Sequence, residues 1–440
     1  MSRKTNRISR RGFLKGLAGG AASVAAVSSG IPVWGKGKTH LDFMVWTYGV
    51  QTILDNIQTF EQQYPDITVK LHDFPWTKYH SSVVLRFKAK TPTDLLYNGE
   101  NWLAEWALPG WVAPLEEYFP KVLDYKNEIA GYALSAMTYN NKLYGLPYYA
   151  DLITFMYNEK VLEDNGFTAP PSTWEEVKDY SLKLKDGGMD KPIIWEIAED
   201  LPTFGNAFWS MVYGRGQRPF DDDLNPVFQN PDHAAFKHLQ WYVDTINKWK
   251  IATSLPHEAK IYPAMGSGKH AFTVMYNYNL KQLNNPEVSP KAGEFKIALM
   301  PGKAHHCYGF ARFYCMTQMA ANRGGDVREA CWKFIEYFGG KVDGEYKVVK
   351  RWALEKGLGF AQLPLFDDPD VRKSWSEWIN MDGYKKQAEL AWGPKKPVWY
   401  GIWDPLYRSM LVQALHQEIP VEKALANAAK KWNELKAQFT

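Results

Sequence analysis

His305-His306-Cys307 is the one cluster of soft metal-ligating side chains in the 440-residue chain. Adjacent residues rarely point at one ion, and no partner pair stands at zinc spacing, so no metal is expected there. Gly266-Ser267-Gly268-Lys269 has the form of the end of a phosphate loop, but position 263 is Pro where that loop needs Gly, and position 270 is His where it needs Ser or Thr. Asp221, Asp223 and Asn225, with Asp232 at the twelfth position, carry part of a calcium loop. Pro226 stands where the sharp turn requires Gly, which makes the segment a polar surface turn. No G-x-S-x-G, H-E-x-x-H or G-x-G-x-x-G element follows the N-terminal leader. No cofactor is therefore expected, and no catalytic residue is assigned. A glycosidase carboxylate pair stays open, because acidic residues are plentiful.

What the chain does offer is aromatic surface: 19 Trp, 25 Tyr and 22 Phe. A sugar has apolar C–H faces and polar edges, so rings that cover the faces and a few Asp, Glu, Asn or Arg groups that bond the hydroxyls make a site for it. Phosphate would call for several basic groups or helix N-termini, and a polyamine for several carboxylates among the rings. Most large aromatics are core, so position along the fold must select among them. In open α/β sheets ligands bind outside the carboxyl ends of the strands. That rule selects Trp46 and Tyr48 after the first strand, Glu100, Asn101 and Trp102 after Tyr97, and Asn277 and Tyr278 after Val274-Met275-Tyr276. Further candidates are Trp209, Phe310, Arg312, Trp399 and Tyr400. With Asp151, which the same rule favours, the charges of the set are Glu100, Asp151 and Arg312, and this mixed set fits a neutral or lightly charged sugar.

The elements that must position these residues follow from periodicity. Leu41 to Trp46 reads as a strand, and Ile53 to Tyr64 has helical spacing at Ile53, Leu54, Ile57 and Phe60. Ile67 to Leu71 alternates, Lys78 to Lys88 is helical, and Asp94 to Tyr97 is again a strand. Strand, helix, strand, helix, strand implies a parallel sheet with right-handed crossovers. A second unit begins near Ala150, with a strand at Thr154 to Tyr157 and a helix opened by Thr173 and Glu176 as a capping box. Strands at Lys296 to Met300 and Phe313 to Met316, a helix from Val327 to Phe338 and a largely helical end from Pro405 to Phe439 complete the reading. At 440 residues the chain is too long for one ordinary core.

Ser9-Arg10-Arg11-Gly12-Phe13-Leu14-Lys15 places twin arginines before the weakly apolar run Gly16 to Val33, the pattern of a bacterial twin-arginine export signal over residues 1–35. Cleavage is expected between about 28 and 36, and no Cys follows for lipid attachment. Removing residues 1–35 deletes six basic residues and no acidic one, taking the formal charge from +4 to −2. That balance argues against nucleic-acid binding. The expected product is soluble, periplasmic and monomeric. Cys307, Cys315 and Cys331 do not form a disulfide framework, and packing cysteines are expected.

Several stretches resemble the family 1 extracellular solute-binding proteins of ATP-driven importers: Lys142 to Pro147, Tyr157 to Leu162, Pro171 to Glu176, Trp106 to Glu117, Met265 to Ala271 and Glu418 to Leu425. The ordered set spans Leu41 to Leu435. The resemblance implies an α/β, two-lobed periplasmic binding protein fold of type II, each lobe a mixed sheet flanked by helices, joined by hinge strands and closing on a ligand. It places the lobes at 38–150 plus 298–340 and at 151–297 plus 341–440, with Asp151 at the first crossing. It also puts Trp403 in a segment where sugar-binding members place a stacking aromatic, so that Trp102 and Trp403 would sandwich the ligand from opposite lobes. The function it implies is capture of a sugar or oligosaccharide for an ABC permease, without catalysis. A secreted carbohydrate-active enzyme, a cofactor-bearing oxidoreductase or a binder of polyamine or glycerol phosphate are the alternatives, and turnover of a glycan separates the first of these from a binding protein.

Overall fold

A computed structural model describes residues 37–439. Its first strands are β1 (Thr39–Trp46), β2 (Ile67–Phe74) and β3 (Leu95–Gly99), with helix α1 (Val50–Gln63) after β1 and α2 (Trp76–Ala89) after β2. β1 pairs with β2 in parallel from Thr39 opposite Ile67 to Trp46 opposite Phe74, and with β3 on its other side. Phe43, Met44 and Val45 are consecutive and all fully buried, as a parallel sheet covered on both faces requires. After β3 come the short helices α3 (Leu103–Ala107) and α4 (Gly131–Met137) and the small hairpin β4 (Thr138–Tyr139) and β5 (Lys142–Leu143). Asn140 and Asn141 turn that hairpin with φ of 48° and 61°, the positive values a two-residue primed turn demands.

β6 (Gly145–Asn158) is a single 14-residue strand that carries the chain into a second unit. There lie α5 (Trp174–Asp186), β7 (Ile193–Glu196), α6 (Pro202–Gly214), α7 (Ala234–Asn247), β8 (Ala252–Leu255), α8 (Glu258–Gly266), β9 (Phe272–Tyr276) and β10 (Phe295–Ala298). The expected capping box of α5 is present: Thr173 Oγ1 accepts from Glu176 N at 3.1 Å, and Glu176 Oε2 accepts from Thr173 N at 3.2 Å. β11 (Tyr308–Met316) returns antiparallel to both β6 and β3. The strands thus form one sheet in the order β2-β1-β3-β11-β6-β9-β7-β8, with β10 on β6.

The β6–β11 register shifts between Arg312 and Phe313, which face Tyr149 and Pro147, leaving Tyr148 as an extra residue. A bulge bends and twists a strand pair, and Pro147 lacks the ladder N–H, so the sheet turns from one unit to the other here. A third segment runs beside it: Gly359 O accepts from Ala150 N at 3.1 Å, and Ala361 O accepts from Ala130 N at 2.9 Å. A Cβ on Gly359 would lie 2.2 Å from the Ala150 carbonyl oxygen, so only glycine allows this approach.

The longer helices toward the C-terminus are α9 (Gly325–Gly339), α10 (Lys347–Lys356), α11 (Tyr400–Leu415) and α12 (Val421–Phe439). α10, grouped with the second lobe in the sequence reading, packs on α9 and α1. It buries Val348, Val349, Trp352 and Ala353, while Arg351 donates to Asn56 and Asp55 and Glu355 accepts from Thr52. Its amphipathic pattern is legible in sequence, but nothing in that pattern says which unit the apolar face covers. α11 starts five residues before Pro405, which therefore sits inside the helix rather than at its start. Among the described residues no helix is long and apolar enough to cross a membrane. The twin-arginine segment lies outside the described residues.

Candidate functional site

β1, β2 and β3 end on one side of the first unit, and β7, β8 and β9 end on the facing side of the second. Between them opens a pocket of about 310 Å³. One wall comes from the first unit: Trp76 and His80 on α2, Asn101 and Trp102 after β3, and Glu105 on α3. The other comes from Pro202 at the start of α6 and from Tyr400, Gly401, Ile402, Asp404, Pro405 and Arg408 on α11. A larger hollow of about 600 Å³ lies beside Trp392, but its walls include none of the strand-end candidates.

The first wall is a stack of indoles. Trp76 lies 5.3 Å from Trp102 and 5.2 Å from Trp46, and Trp102 stacks on Trp106 at 5.5 Å. Trp46 is mostly covered by Tyr79, Tyr97 and Trp102, so it supports the platform, whereas Trp76 is 41% exposed and presents its ring to the opening. Tyr48 is 45% exposed but turns away to stack on Trp352 of α10 at 6.2 Å. His80 Nε2 is 2.8 Å from Glu105 Oε2, while Glu105 Oε1 is buried with no partner. An unpaired buried acceptor of this kind is costly unless a ligand donor or water reaches it.

Behind the indoles lies a buried charge cluster. Arg312 of β11 donates to Glu100 Oε2, and Lys396, from the loop before α11, donates to Glu100 Oε1 at 3.4 Å and to Asn101 Oδ1. Lys396 also sits 4.7 Å above the Tyr400 ring and 5.4 Å above Tyr308. Burial lowers the Lys396 pKa, opposed by the nearby Glu100 and Asp404 carboxylates. Arg312 caps the Phe310 ring at 5.0 Å. Gly99 makes room for it: a Cβ there would lie 2.6 Å from Arg312 Nη1 and 3.0 Å from its Cδ. On α11, Arg408 Nε donates to Asp404 Oδ2 at 2.9 Å and its Nη1 to the Glu199 carbonyl. Pro405 has no N–H, so the Gly401 carbonyl loses its helical partner beside the pocket.

The second unit's strand ends carry the other candidates. Asp151 is fully buried in β6, where its carboxylate accepts from Leu152 N at 2.8 Å and Tyr278 N at 3.2 Å, and burial pushes its pKa up to about 7. Asn277 is 1% exposed with Oδ1 unpartnered. Tyr278 stacks on Tyr276 at 5.8 Å and donates to Glu258 Oε2 at 2.7 Å. The structure therefore brings Glu100, Asn101, Trp102 and Arg312 together with Trp46 at the pocket, and sets Asp151, Asn277 and Tyr278 together at the hinge side.

Trp403 belongs elsewhere. It is fully buried, its Nε1 donates to Ala428 O at 2.8 Å, and its ring packs on Tyr407 at 4.6 Å and Trp432 at 5.0 Å. The helix carrying it does line the pocket, but on α11 the residues one and five positions on, Asp404 and Arg408, face the opening while Trp403 points into the α12 interface. The Trp102–Trp403 sandwich is corrected accordingly. Trp209 and Trp399 are core as well, at 2% and 4% exposure.

Sequence reasoning missed Trp76, Lys396, Asp404 and Arg408. Trp76 follows the end of β2 and obeys the strand-end rule, but the alternating pattern ends at Leu71 while the strand runs on to Phe74. Asp404 and Arg408 are an i, i+4 pair that is visible once α11 is taken to start at Tyr400. Lys396 stands in Gly-Pro-Lys-Lys-Pro, where no periodicity signals its placement.

The rejected motifs sit in ordinary surroundings. His305 Nδ1 bonds Met300 O at 2.9 Å and His306 Nδ1 bonds Leu390 O at 2.8 Å. Asp221 Oδ1 accepts from Asn225 N at 2.7 Å, a local turn. Among the described residues no group of three or more His, Cys, Asp and Glu could hold a metal ion. Cys307, Cys315 and Cys331 are buried and unpaired.

Two α/β units on one sheet, three strands or segments passing between them, and an aromatic pocket at their facing strand ends define the type II periplasmic binding protein fold. The chain belongs to the bacterial extracellular solute-binding proteins, whose family model matches residues 46–342. A Brucella abortus protein named only as a binding protein is 23% identical over 282 residues, 64% of this chain; the match spans 66% of that relative's length. The maltotriose-binding protein of Pyrococcus abyssi is 21% identical over 379 residues, covering 84% of this chain and 76% of the relative. Among solved structures, the sugar-binding protein MalE of Xanthomonas citri superposes with a TM-score of 0.76 at 18% identity, covering 91% of this chain and 98% of that one. Maltose-bound MalE3 of T. maritima gives 0.73 at 21% identity, covering 90% and 99%.

Proposed function

We propose that the protein is the periplasmic binding component of an ABC importer that encloses a sugar or oligosaccharide between its lobes and passes it to a membrane permease, acting as a monomer and not as an enzyme. The observation that carries this reading is the 310 Å³ interlobe pocket, with exposed Trp76 beside Trp102 on one wall and the Asp404–Arg408 pair on the other. Rings for C–H faces meet charged hydrogen-bonding groups for hydroxyls, within the size range of small-molecule sites. Relatives and structural neighbours named for maltotriose and maltose support the same ligand class.

The lobes we assign are 38–150 plus 298–357 and 151–297 plus 358–440. The packing of α10 on α1 supports moving the last boundary to the Gly359 crossing. The twin arginines of residues 10 and 11 support export to the periplasm. The test is a thermal-shift screen of the purified protein against mono- and oligosaccharides, uronates, polyols, polyamines and glycerol phosphates. A ligand at 100 times its dissociation constant adds about 2.7 kcal/mol. Stabilisation by a carbohydrate, a smaller radius of gyration on saturation and no turnover of the bound glycan are expected. Stabilisation by none of the carbohydrates would refute the reading.

A further inference from the structure

Lys396 reaches from one unit to the other. Its loop belongs to the second unit: Lys395 donates to Asp222 Oδ1 at 2.9 Å, and α11, which follows directly, packs on α6, α7 and α12. The Lys396 ammonium lies 4.7 Å above the Tyr400 ring and 5.4 Å above Tyr308. From there it donates to Glu100 Oε1 at 3.4 Å and to Asn101 Oδ1, both in the loop that follows β3 in the first unit. Among the described residues it is the one side chain of the second unit that hydrogen-bonds to that loop.

The contact is sealed: the Lys396 side chain is 1% exposed and that of Glu100 is 3%. Drawing the two units apart must break it and admit water to both groups, so it exists only while the units face each other. Burial lowers the Lys396 pKa, and the Glu100 and Asp404 carboxylates oppose that. An amine carries N–H donors with or without the extra proton, so the bond to Asn101 stands in both states. Pro394 and Pro397 fix φ on either side of Lys395-Lys396, which limits the freedom the arm gains on release and loses again on closing.

We propose that Lys396 is an interlobe latch, a positioning residue that holds the end of β3 against the loop before α11 and sets the balance between open and closed forms. The inference rests on two lobes that close and is independent of what they close upon. Lys396 does not line the pocket, whereas Asn101, Val398 and Tyr400 beside it do. Its influence on a ligand therefore runs through closure: the apparent affinity of a site formed only in the closed state is scaled by the closed fraction.

The test needs no ligand. Cys307, Cys315 and Cys331 are buried, so dyes can be placed on cysteines introduced at two exposed positions, Lys88→Cys on α2 and Lys260→Cys on α8. Single-molecule energy transfer in the full mature protein then reads the open and closed fractions. Lys396→Met keeps the apolar stem between the tyrosines and removes the donor. Arg312 still pairs with Glu100, so no buried carboxylate is left alone and the loss falls on closure. The open-to-closed ratio is expected to rise about tenfold, the scale of one hydrogen bond to a charged group. Lys396→Arg should return it toward the wild type, and Lys395→Met, whose partner Asp222 lies in its own unit, should leave it unchanged. Melting curves check folding, and if Lys396→Met does not fold, Asn101→Ala removes the other half of the contact and is read in the same way. A wild-type ratio in Lys396→Met, or an equal rise in Lys395→Met, would overturn the latch and leave ligand capture, which the thermal-shift screen tests separately, untouched.

Discussion

Trp76 and Trp403 have the same side chain and opposite structural roles, so truncating each separates binding from folding. Trp76 is 41% exposed at the pocket opening. A Trp ring offers up to about 250 Å², so roughly 100 Å² of Trp76 is open for a ligand to cover. At about 25 cal/mol per Å² that surface contributes at most ~2.5 kcal/mol, and half coverage about 1.3 kcal/mol, with ring-specific contacts adding roughly 0.5–1.5 kcal/mol. Trp76→Ala is therefore expected to weaken affinity about tenfold to several hundredfold. It should lower ligand-free stability by only about 1 kcal/mol, since the ring touches Trp46 and Trp102 at an edge of the core. Trp403 has no exposed surface and bonds Ala428 O. Trp403→Phe loses that bond and leaves a small void, costing about 1–2 kcal/mol, and Trp403→Ala roughly 3–5 kcal/mol, with affinity unchanged in whatever remains folded. Urea titration of the ligand-free variants and calorimetry with the identified ligand provide the two axes. Parental affinity in Trp76→Ala, or weakened affinity with parental stability in Trp403→Phe, would sink the assignment of these two rings.

Gly99→Ala places a Cβ against the Arg312 side chain, at 2.6 Å from Nη1; displacing the buried Glu100 pair is expected to lower ligand-free stability by about 3–5 kcal/mol, read in urea, and a parental urea midpoint would show that the Arg312 side chain accommodates the methyl group with the pair intact. Glu196 has both carboxylate oxygens buried without partners and a pKa raised by burial to about 8. The folded state thus holds a proton that the unfolded state has released, so stability falls as pH rises from about 4.5 to about 8, by on the order of 1.4 kcal/mol per pH unit at most. Glu196→Gln should flatten that decline and exceed the wild type in stability at pH 9; a wild type equally stable in urea at pH 5 and pH 9 would contradict it. Replacing Arg10 and Arg11 by Lys should abolish periplasmic accumulation while the purified protein still binds ligand, and normal accumulation in cell fractionation would rule out twin-arginine export.

How much of this was legible in the sequence depended on whether a feature announces itself within one element. β1, α1, the capping box of α5 and α9 are local: alternation, 3.6-residue spacing and Thr173 with Glu176 suffice to find them. The pairing of β6 with β11 is not local. A run of 14 residues that joins two units looks like a shorter strand with flanking loop, because Pro147 and the bulge at Tyr148 interrupt the pattern at the very point where the sheet turns. The strand-end rule located Glu100, Asn101 and Trp102 because β3 ends where its apolar run ends. It passed over Trp76 because β2 continues through His72 and Asp73, which pair with Met44 and Val45 despite their polarity. Polar residues survive there because β2 is the outer strand and its side chains are only partly covered.

Trp403 shows the limit from the other direction. Its helix lines the pocket, yet a helix turns 100° per residue, so naming the segment does not name the residue that faces the opening. Pro405 settles the phase only once the helix is known to begin at Tyr400, which puts Asp404 and Arg408 on the face turned to the first unit and Trp403 on the face covered by Trp432. The charge cluster lies further beyond sequence reading: Glu100, Arg312 and Lys396 come from three regions 84 to 296 residues apart, and only the facing of two units makes their sum a property of one site.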